Sequence, residues 1–363
     1  KSAKIMKKSI LYVLAGLLLL VSCQDMYLPP KNTLTDEDLM SSEAGLSIYM
    51  ARMYSQMPWE DFKYMAQWGL PRRSSWLGCF GVEGTGEAVN RDGVTTAFRG
   101  EDDPWWGSSY SLIRDANKLI EGLPAFKENY SNEAVYNDYI GQAYFVRAYS
   151  YYQMARRYGG VPLVTEVIQY PASEDKLEKY RASEEDTWNQ ILADFDMAAS
   201  LMQPKSALRG YANRYVALAF KAEAMLYAGS VAKYNSTVSG NLTGIGSKSG
   251  NRVIGFGDNA QELSAKWFAE AYKAAREVMT GGGYSLYKKA WAADDKTAQY
   301  RNMVEMWSDL ASPENILVRE YEYPTLTHGL DAYSSPFLWH SPLAGGTCPT
   351  LDFVELFDGL EYH

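Results

Sequence analysis

The spacing of hydrophobic and polar positions along the chain indicates a mainly α-helical protein. The clearest pattern begins at Asn213, where Tyr215, Leu218 and Ala222 recur at the three- and four-residue spacing of one helix face. This pattern predicts a helix over residues 213–229. Similar spacing, together with flanking turn residues, predicts helices over 35–57, 103–122, 132–158, 186–202 and 261–279.

Three of these segments begin with residues that cap helices. Thr35 is followed three positions later by Asp38, and Ser183 by Asp186, which is the spacing of a capping box. Asp103 stands directly before a proline, as an N-cap residue does when proline occupies the first helical position. The capping residues therefore predict where the chain enters each of these helices.

Two long segments, 58–103 and 235–259, lack helical spacing and are rich in glycine. We predict that both are long irregular loops, and loops of such length in a compact protein are often functional. Towards the C-terminus the helical spacing weakens. The apolar run at 315–319 predicts a short strand, and residues 349–357 predict the start of a last helix.

The predicted helices suggest an internal repeat. Helices 132–158 and 186–202 resemble helices 213–229 and 261–279, because each first helix is rich in Ala and Tyr and each second helix begins near a tryptophan. This indicates tetratricopeptide-type helix pairs with expanded connectors, since a strict array would repeat every 34 residues or so. A protein-binding superhelix and generic helix packing are the alternatives.

Composition and charge argue against some classes of ligand and favour others. The 363 residues include 35 Lys and Arg against 44 Asp and Glu, a net charge of −9 that argues against nucleic acid as a ligand. The three histidines lie in no metal-binding pattern, so we predict no metal site and no cofactor, although a structural calcium ion stays open. Aromatic residues make up 14% of the chain, which suits a helical core and also flat surfaces that stack on sugars.

The N-terminal residues predict a membrane anchor. An uncharged stretch from Ile10 to Val21 follows two lysines, and it is shorter than the roughly 20 apolar residues that cross a bilayer. The following Ser22 and Cys23 look like a bacterial lipobox, in which the cysteine is acylated. We therefore expect a signal peptide over 1–22, a lipid-anchored tether over 23–33 and one domain over 34–363. An ordinary secretory signal with an incidental cysteine is the alternative.

The sequence does not predict an enzyme. Glycoside hydrolysis requires two carboxylates on either side of the scissile bond. The acidic run 101–103 is explained by its place at a helix start, and no Gly-x-Ser-x-Gly motif occurs.

Several segments together resemble the SusD/RagB family of starch-utilisation-system D-like lipoproteins. Residues 33–39 read TLTDEDL, 106–120 read WGSSYSLIRDANKLI, 141–152 read GQAYFVRAYSYY, 157–163 read RYGGVPL and 348–359 read CPTLDFVELFDG. These segments are similar to the family's opening phrase, its W-x3-Y helix, its R-A…R-x-Y-G-x-V-P-L phrase and its P-T…D-G segment. The resemblance spans nearly the whole chain.

The resemblance implies a fold and a function. The fold would be a right-handed helical scaffold of tetratricopeptide-like helix pairs, with long irregular loops and few short strands. The protein would be a non-catalytic lipoprotein of the outer membrane that faces the cell exterior. It would bind an oligo- or polysaccharide and deliver it to a SusC-like TonB-dependent transporter. Relatives usually continue well past the Asp358-Gly359 phrase, so we expect the C-terminal part of the family fold to be missing. Capture of a peptide or glycoprotein is an alternative ligand class.

Within this family, loops that project from the scaffold would hold the glycan. We select aromatic residues in the predicted loops, together with polar neighbours that can hydrogen-bond to sugar hydroxyls. The candidates are Arg72, Trp76, Asp92, Trp105, Tyr333 and Trp339. We interpret Trp291 and Trp307 as packing residues. Cys79 and Cys348 are expected either to form a disulfide or to stay as two thiols.

Overall fold

The computed structural model describes residues 34–57, 59, 64–65, 70–71, 88–90, 104–206, 210–235, 237, 242–322 and 347–356. The helices are α1 Asp36–Met40, α2 Glu43–Gln56, α3 Pro104–Gly122, a 3-10 helix Leu123–Asn129, α4 Glu133–Tyr158, α5 Glu174–Leu177, α6 Glu184–Leu201, α7 Arg214–Tyr234, α8 Ala260–Gly281, α9 Lys296–Ser308 and α10 Leu351–Val354. The strands are β1 Tyr64–Met65, β2 Leu70–Pro71, β3 Ala88–Asn90, β4 Gly244–Ile245, β5 Arg252–Ile254 and β6 Thr347–Pro349.

The prediction of a mainly helical fold built of tetratricopeptide-like helix pairs is confirmed. Helix α3 packs against α4, α4 against α6, α6 against α7, and α7 against α8. Each long helix thus contacts the next long helix along the chain, as in a helical repeat. The tryptophans that begin the two second helices of the repeat, Trp188 and Trp267, are both fully buried.

Side-chain caps place the helix starts where the sequence predicts them. Thr35 and Asp38 form the predicted capping box, and the Ser183 hydroxyl accepts a hydrogen bond from the Asp186 amide. The predicted helix 35–57 is divided into α1 and α2, because Ser42 caps a new helix by accepting a hydrogen bond from the Gly45 amide at 3.2 Å. Asp103, predicted to cap α3, lies outside the described residues.

Helix α7 continues five residues beyond its predicted end at Gly229. A Cβ at Gly229 would lie 2.8 Å from the Phe268 ring, so glycine here lets α8 approach the α7 backbone closely. The residue therefore serves helix packing and not helix termination, which explains why α7 does not stop at it.

The described strands form three two-stranded antiparallel sheets. Strands β4 and β5 form a hairpin inside the segment 235–259 that was predicted to be an irregular loop. Strand β3 pairs with β6, with Val89 opposite Cys348, and thus joins the long first loop segment to the C-terminal segment. Cys79 lies outside the described residues, so its pairing with Cys348 stays a prediction.

Two predictions near the C-terminus need correction. The strand predicted at 315–319 is wrong, because these residues form turns and irregular backbone in which Ile316 and Leu317 pack against the core. The last helix is shorter than predicted and begins after Thr350, whose hydroxyl accepts from the Phe353 amide. Helix α9 was not predicted.

Among the described residues, no helix is long and apolar enough to cross a membrane.

Candidate functional site

The loop residues selected from the sequence are not tested by the structure. Arg72, Trp76, Asp92, Tyr333 and Trp339 lie outside the described residues, as does the lipidation candidate Cys23. Trp105 lies in the first turn of α3, but its side chain is not among those described. All seven assignments therefore stay predictions.

Two residues of the segments that carry the family resemblance, Arg147 and Asn117, belong to a buried polar network. Arg147 on α4 donates two hydrogen bonds to Asp194 on α6, with Nε–Oδ2 at 2.8 Å and Nη2–Oδ1 at 2.6 Å. Its Nη1 also donates to the Asn117 side-chain oxygen on α3 at 2.7 Å. Burial raises the pKa of the Asp194 carboxyl, and the hydrogen bonds from Arg147 oppose that rise. The network joins three helices and is closed to any ligand, because all three side chains are buried.

The same motif residues hold the connector that follows α4. The Tyr110 hydroxyl donates to the Pro162 carbonyl at 2.7 Å, and the Asn117 amide donates to the Val164 carbonyl at 2.9 Å. The Tyr151 hydroxyl accepts from the Val164 amide at 2.7 Å. The motif residues on α3 and α4 thus fix a segment that would otherwise leave backbone polar groups unpaired.

Two further buried ionisable side chains connect neighbouring elements of the helical repeat. Lys221 on α7 contacts Asp196 on α6 at 2.6 Å and Glu270 on α8 at 2.7 Å. Glu184 accepts a hydrogen bond from the Gly255 amide at 2.6 Å, which holds the β4–β5 hairpin against the start of α6. Burial raises the pKa of the Glu184 carboxyl. These contacts indicate a rigid scaffold.

A row of exposed aromatic and apolar side chains lies along α9. Tyr300 is 73% exposed and Trp307 is 81% exposed, and Met303 and Val304 lie between them on the same side of the helix. We call these four residues the α9 face. Trp291, before the helix, is 48% exposed. The interpretation of Trp291 and Trp307 as packing residues is therefore wrong.

The opposite side of α9 explains this orientation. Asn302 is buried, donates to the Tyr287 carbonyl at 2.9 Å and accepts from the Ala290 amide at 3.2 Å. The helix is thus anchored through a polar residue, and its apolar side faces outward. The Asp295 carboxylate caps its N-terminus by accepting from the Thr297 and Ala298 amides. The usual assumption that the apolar side of a helix is its buried side fails here.

A groove of about 400 Å³ lies close to the C-terminal end of α9. It is bounded by the connector between α6 and α7, the N-terminus of α7 and the segment after α9. The lining residues are Lys205, Ser206, Gly210, Tyr211, Asn213, Leu310, Ala311, Ser312, Asn315, Ile316, Leu317 and Val318. The groove combines apolar surface with amide, hydroxyl and ammonium groups, a mixture that suits small polar ligands.

Within the described part of the chain, no three His, Cys, Asp or Glu side chains stand together in a way that could hold a metal ion. Sequence reasoning missed both the α9 face and the groove. The spacing of Tyr300, Val304 and Trp307 is visible in the sequence, but the side of the helix that they occupy is not.

Comparison with known proteins identifies relatives of one kind. Residues 81–226 match the family model SusD-like_3, described as "Starch-binding associating with outer membrane". The chain is 26% identical over 242 residues to SusD-like protein P2 of Formosa agariphila, covering 63% of this chain and 45% of that protein. SusD-like protein P38 of the same organism is also 26% identical, over 219 residues, or 59% of this chain and 41% of that protein.

Two solved structures share the fold. A SusD superfamily protein from Bacteroides thetaiotaomicron aligns with a TM-score of 0.55 at 15% identity, covering 87% of this chain and 61% of that one. A SusD-like protein from Bacteroides fragilis aligns with a TM-score of 0.50 at 21% identity, covering 80% and 47%. The chain spans less than half the length of the curated relatives that it matches.

Proposed function

Because residues 81–226 match a SusD-like family model and the relatives found are SusD-like proteins, we propose that this chain binds an oligo- or polysaccharide at the cell exterior without cutting it. It delivers the glycan to a SusC-like TonB-dependent transporter in the outer membrane. The lipid-bearing residue is Cys23, which anchors the protein after removal of residues 1–22. Lipid attachment gives stable membrane binding without a spanning helix.

The α9 face is the observation that supports glycan binding most directly. Flat aromatic rings pack against the apolar C–H faces of sugars, and Tyr300 and Trp307 are both exposed. They lie seven residues apart on one helix, which corresponds to a rise of about 10 Å. Two rings at this separation can contact different units of one saccharide chain.

The scaffold makes this surface a rigid platform. The Asp295 cap and the two hydrogen bonds of Asn302 fix α9 to the segment before it. A surface that is ordered before binding loses less conformational entropy when a ligand arrives. Rigid presentation therefore favours binding of a flexible polysaccharide.

The loop residues chosen from the sequence belong to the same proposal. Arg72, Trp76 and Asp92 lie in the segment that contains β3, and Tyr333 and Trp339 precede β6. The pairing of β3 with β6 supports their contribution to one binding surface, because it joins the ends of these two segments. Trp105, at the start of α3, follows the first segment directly.

A protein ligand is the second candidate. Met303 and Val304 make the centre of the α9 face aliphatic, which suits a peptide or glycoprotein better than a sugar ring. A tetratricopeptide-like scaffold that binds only proteins would use the same face. The two candidates differ in whether a polysaccharide alone binds.

Electrophoresis of the full chain through gels that contain single polysaccharides distinguishes them. We expect one or more polysaccharides to retard the protein, and size-exclusion chromatography to find the polysaccharide length unchanged after incubation. Release of shorter sugars would contradict the non-catalytic role. Absence of retardation across the panel, with co-purification of a membrane protein, would favour the protein-binding alternative.

A further inference from the structure

The groove beside α9 has an unusual charge balance for this protein. Among the described residues that line it, Lys205 is the one charged residue and none carries a carboxylate. The whole chain, in contrast, has more acidic than basic residues. Lys205 is exposed and has no ion-pair or hydrogen-bond partner among the described residues. Its ammonium group is thus available to a ligand in the groove.

The N-terminus of α7 adds a second positive contribution. Asn213 lines the groove and caps α7, with its side-chain oxygen accepting from the Tyr215 amide at 2.9 Å and the Val216 amide at 3.0 Å. Because the oxygen is occupied, the side-chain NH2 group is the part of Asn213 that can serve a ligand as donor. The partial positive charge of a helix N-terminus also favours an anion nearby.

The remaining lining suits a sugar ring. Tyr211 and Leu310 offer apolar surface, while Ser312 and Asn315 offer a hydroxyl and an amide. A sugar ring presents apolar C–H groups on its faces and hydroxyls at its edge, and both kinds of surface find partners here. The groove volume of about 400 Å³ lies within the usual range for ligand pockets.

We propose that this groove binds an anionic sugar residue, a uronate or a sulfated sugar, through Lys205. The inference rests on the proposed glycan-binding function and adds the ligand class that the groove selects. Leu310 lines the groove two residues after α9 ends at Ser308, so one glycan can contact both the α9 face and the groove. The anionic group pairs with the Lys205 ammonium and accepts from the Asn213 amide.

Affinity for charged and neutral glycans tests this inference. The probes are polygalacturonate, its fully methyl-esterified form, chondroitin sulfate and laminarin, each titrated against the full chain. The esterified polymer has the same rings as polygalacturonate without the negative charge. We expect at least one anionic probe to bind more tightly than the neutral probes, with an affinity that falls as salt concentration rises.

Variants of Lys205 provide the decisive comparison. Lys205→Gln is expected to weaken binding of the anionic probe about fivefold, the scale of one exposed ion pair, and Lys205→Arg to retain it. Binding of neutral glycans is expected to be unchanged. Lys248→Gln removes the same charge from the β4–β5 turn, which does not line the groove, and is the control. Unchanged thermal unfolding of each variant shows that the fold is intact.

The possible outcomes separate the two proposals. Equal binding of the anionic probe by the wild type and Lys205→Gln overturns the inference. If only neutral glycans bind, and their binding depends on Trp307, the inference of an anionic ligand is overturned but the proposed function still stands. If none of the probes and no other polysaccharide binds, both proposals fail.

Discussion

Arg147 and Asp194 form a buried bidentate ion pair that joins α4 to α6. The distances are 2.8 Å for Nε–Oδ2 and 2.6 Å for Nη2–Oδ1, and the side chains are 6% and 2% exposed. Asn117 on α3 accepts a third hydrogen bond from Arg147. Arg147 and Asn117, which belong to the segments that resemble the family, therefore hold the helices together, and their burial closes them to a ligand.

Removal of one partner of this pair should destabilise the fold strongly. Arg147→Ala leaves the Asp194 carboxylate buried without its cation, and we expect a loss of about 3 to 5 kcal/mol in the free energy of unfolding. Urea denaturation measures this loss. Arg301→Ala, which removes an exposed pair with Glu305, is the control and should cost less than about 1 kcal/mol. Similar losses in the two variants would contradict a structural role for the buried pair.

Glu184 predicts a pH dependence of stability. Burial raises its pKa above the usual value of 4.5, so the folded state binds its proton more tightly than the unfolded state does. The stability that this provides is fully present below pH 4.5 and is lost as the pH rises through the raised pKa. Glu184→Gln, which stays neutral and can still accept from the Gly255 amide, should lack this loss.

Denaturation of the wild type and Glu184→Gln at a series of pH values measures the difference. The free energies of unfolding should be most alike at low pH and should diverge, in favour of the glutamine variant, as pH rises. A constant difference across the series would show that Glu184 has the same pKa in both states.

The approach of α8 to α7 at Gly229 predicts a steric effect. A Cβ there lies 2.8 Å from the Phe268 ring, so Gly229→Ala should force the helices apart and cost about 1 to 3 kcal/mol. At Gly107 on α3 the corresponding Cβ meets nothing within 4 Å. Gly107→Ala should therefore stabilise the protein by about 0.5 to 1 kcal/mol. Thermal denaturation of both variants checks the opposite signs.

Asn302 should keep helix α9 structurally ordered without itself contacting the ligand. Asn302→Ala removes the hydrogen bonds to Tyr287 and Ala290 that anchor the helix. We expect faster amide hydrogen exchange over residues 296–308 and weaker glycan binding, with little change in exchange over α7 and α8. Unchanged exchange in α9 would mean that other contacts hold the helix.

The sequence predicted the scaffold well because local chemistry determines it. Caps such as Thr35 with Asp38 and Ser183 with Asp186 depend on residues three positions apart, and both formed as expected. The helical spacing after Asn213 likewise described α7. Even there, the sequence did not indicate that Gly229 is an interior residue, because Phe268 is distant in sequence.

The candidate sites depend on contacts that no local pattern contains. Helix α9 itself was not predicted, and its buried anchor Asn302 carries no hydrophobic signal. The groove brings Lys205 close to the segment 310–318, more than one hundred residues later. Trp307 was therefore misassigned, and the groove was not predicted.

Binding by variants of the α9 face tests the central claim most directly. The ligand is the polysaccharide that retards the wild type, and isothermal titration measures its dissociation constant. Trp307→Ala and Tyr300→Ala should each weaken binding by about 1 to 2 kcal/mol, through loss of ring contact with the sugar. Tyr272→Ala removes an exposed ring on α8, where Tyr272 is 64% exposed, and should have no effect. Wild-type affinity in both α9 variants would contradict glycan capture on this face.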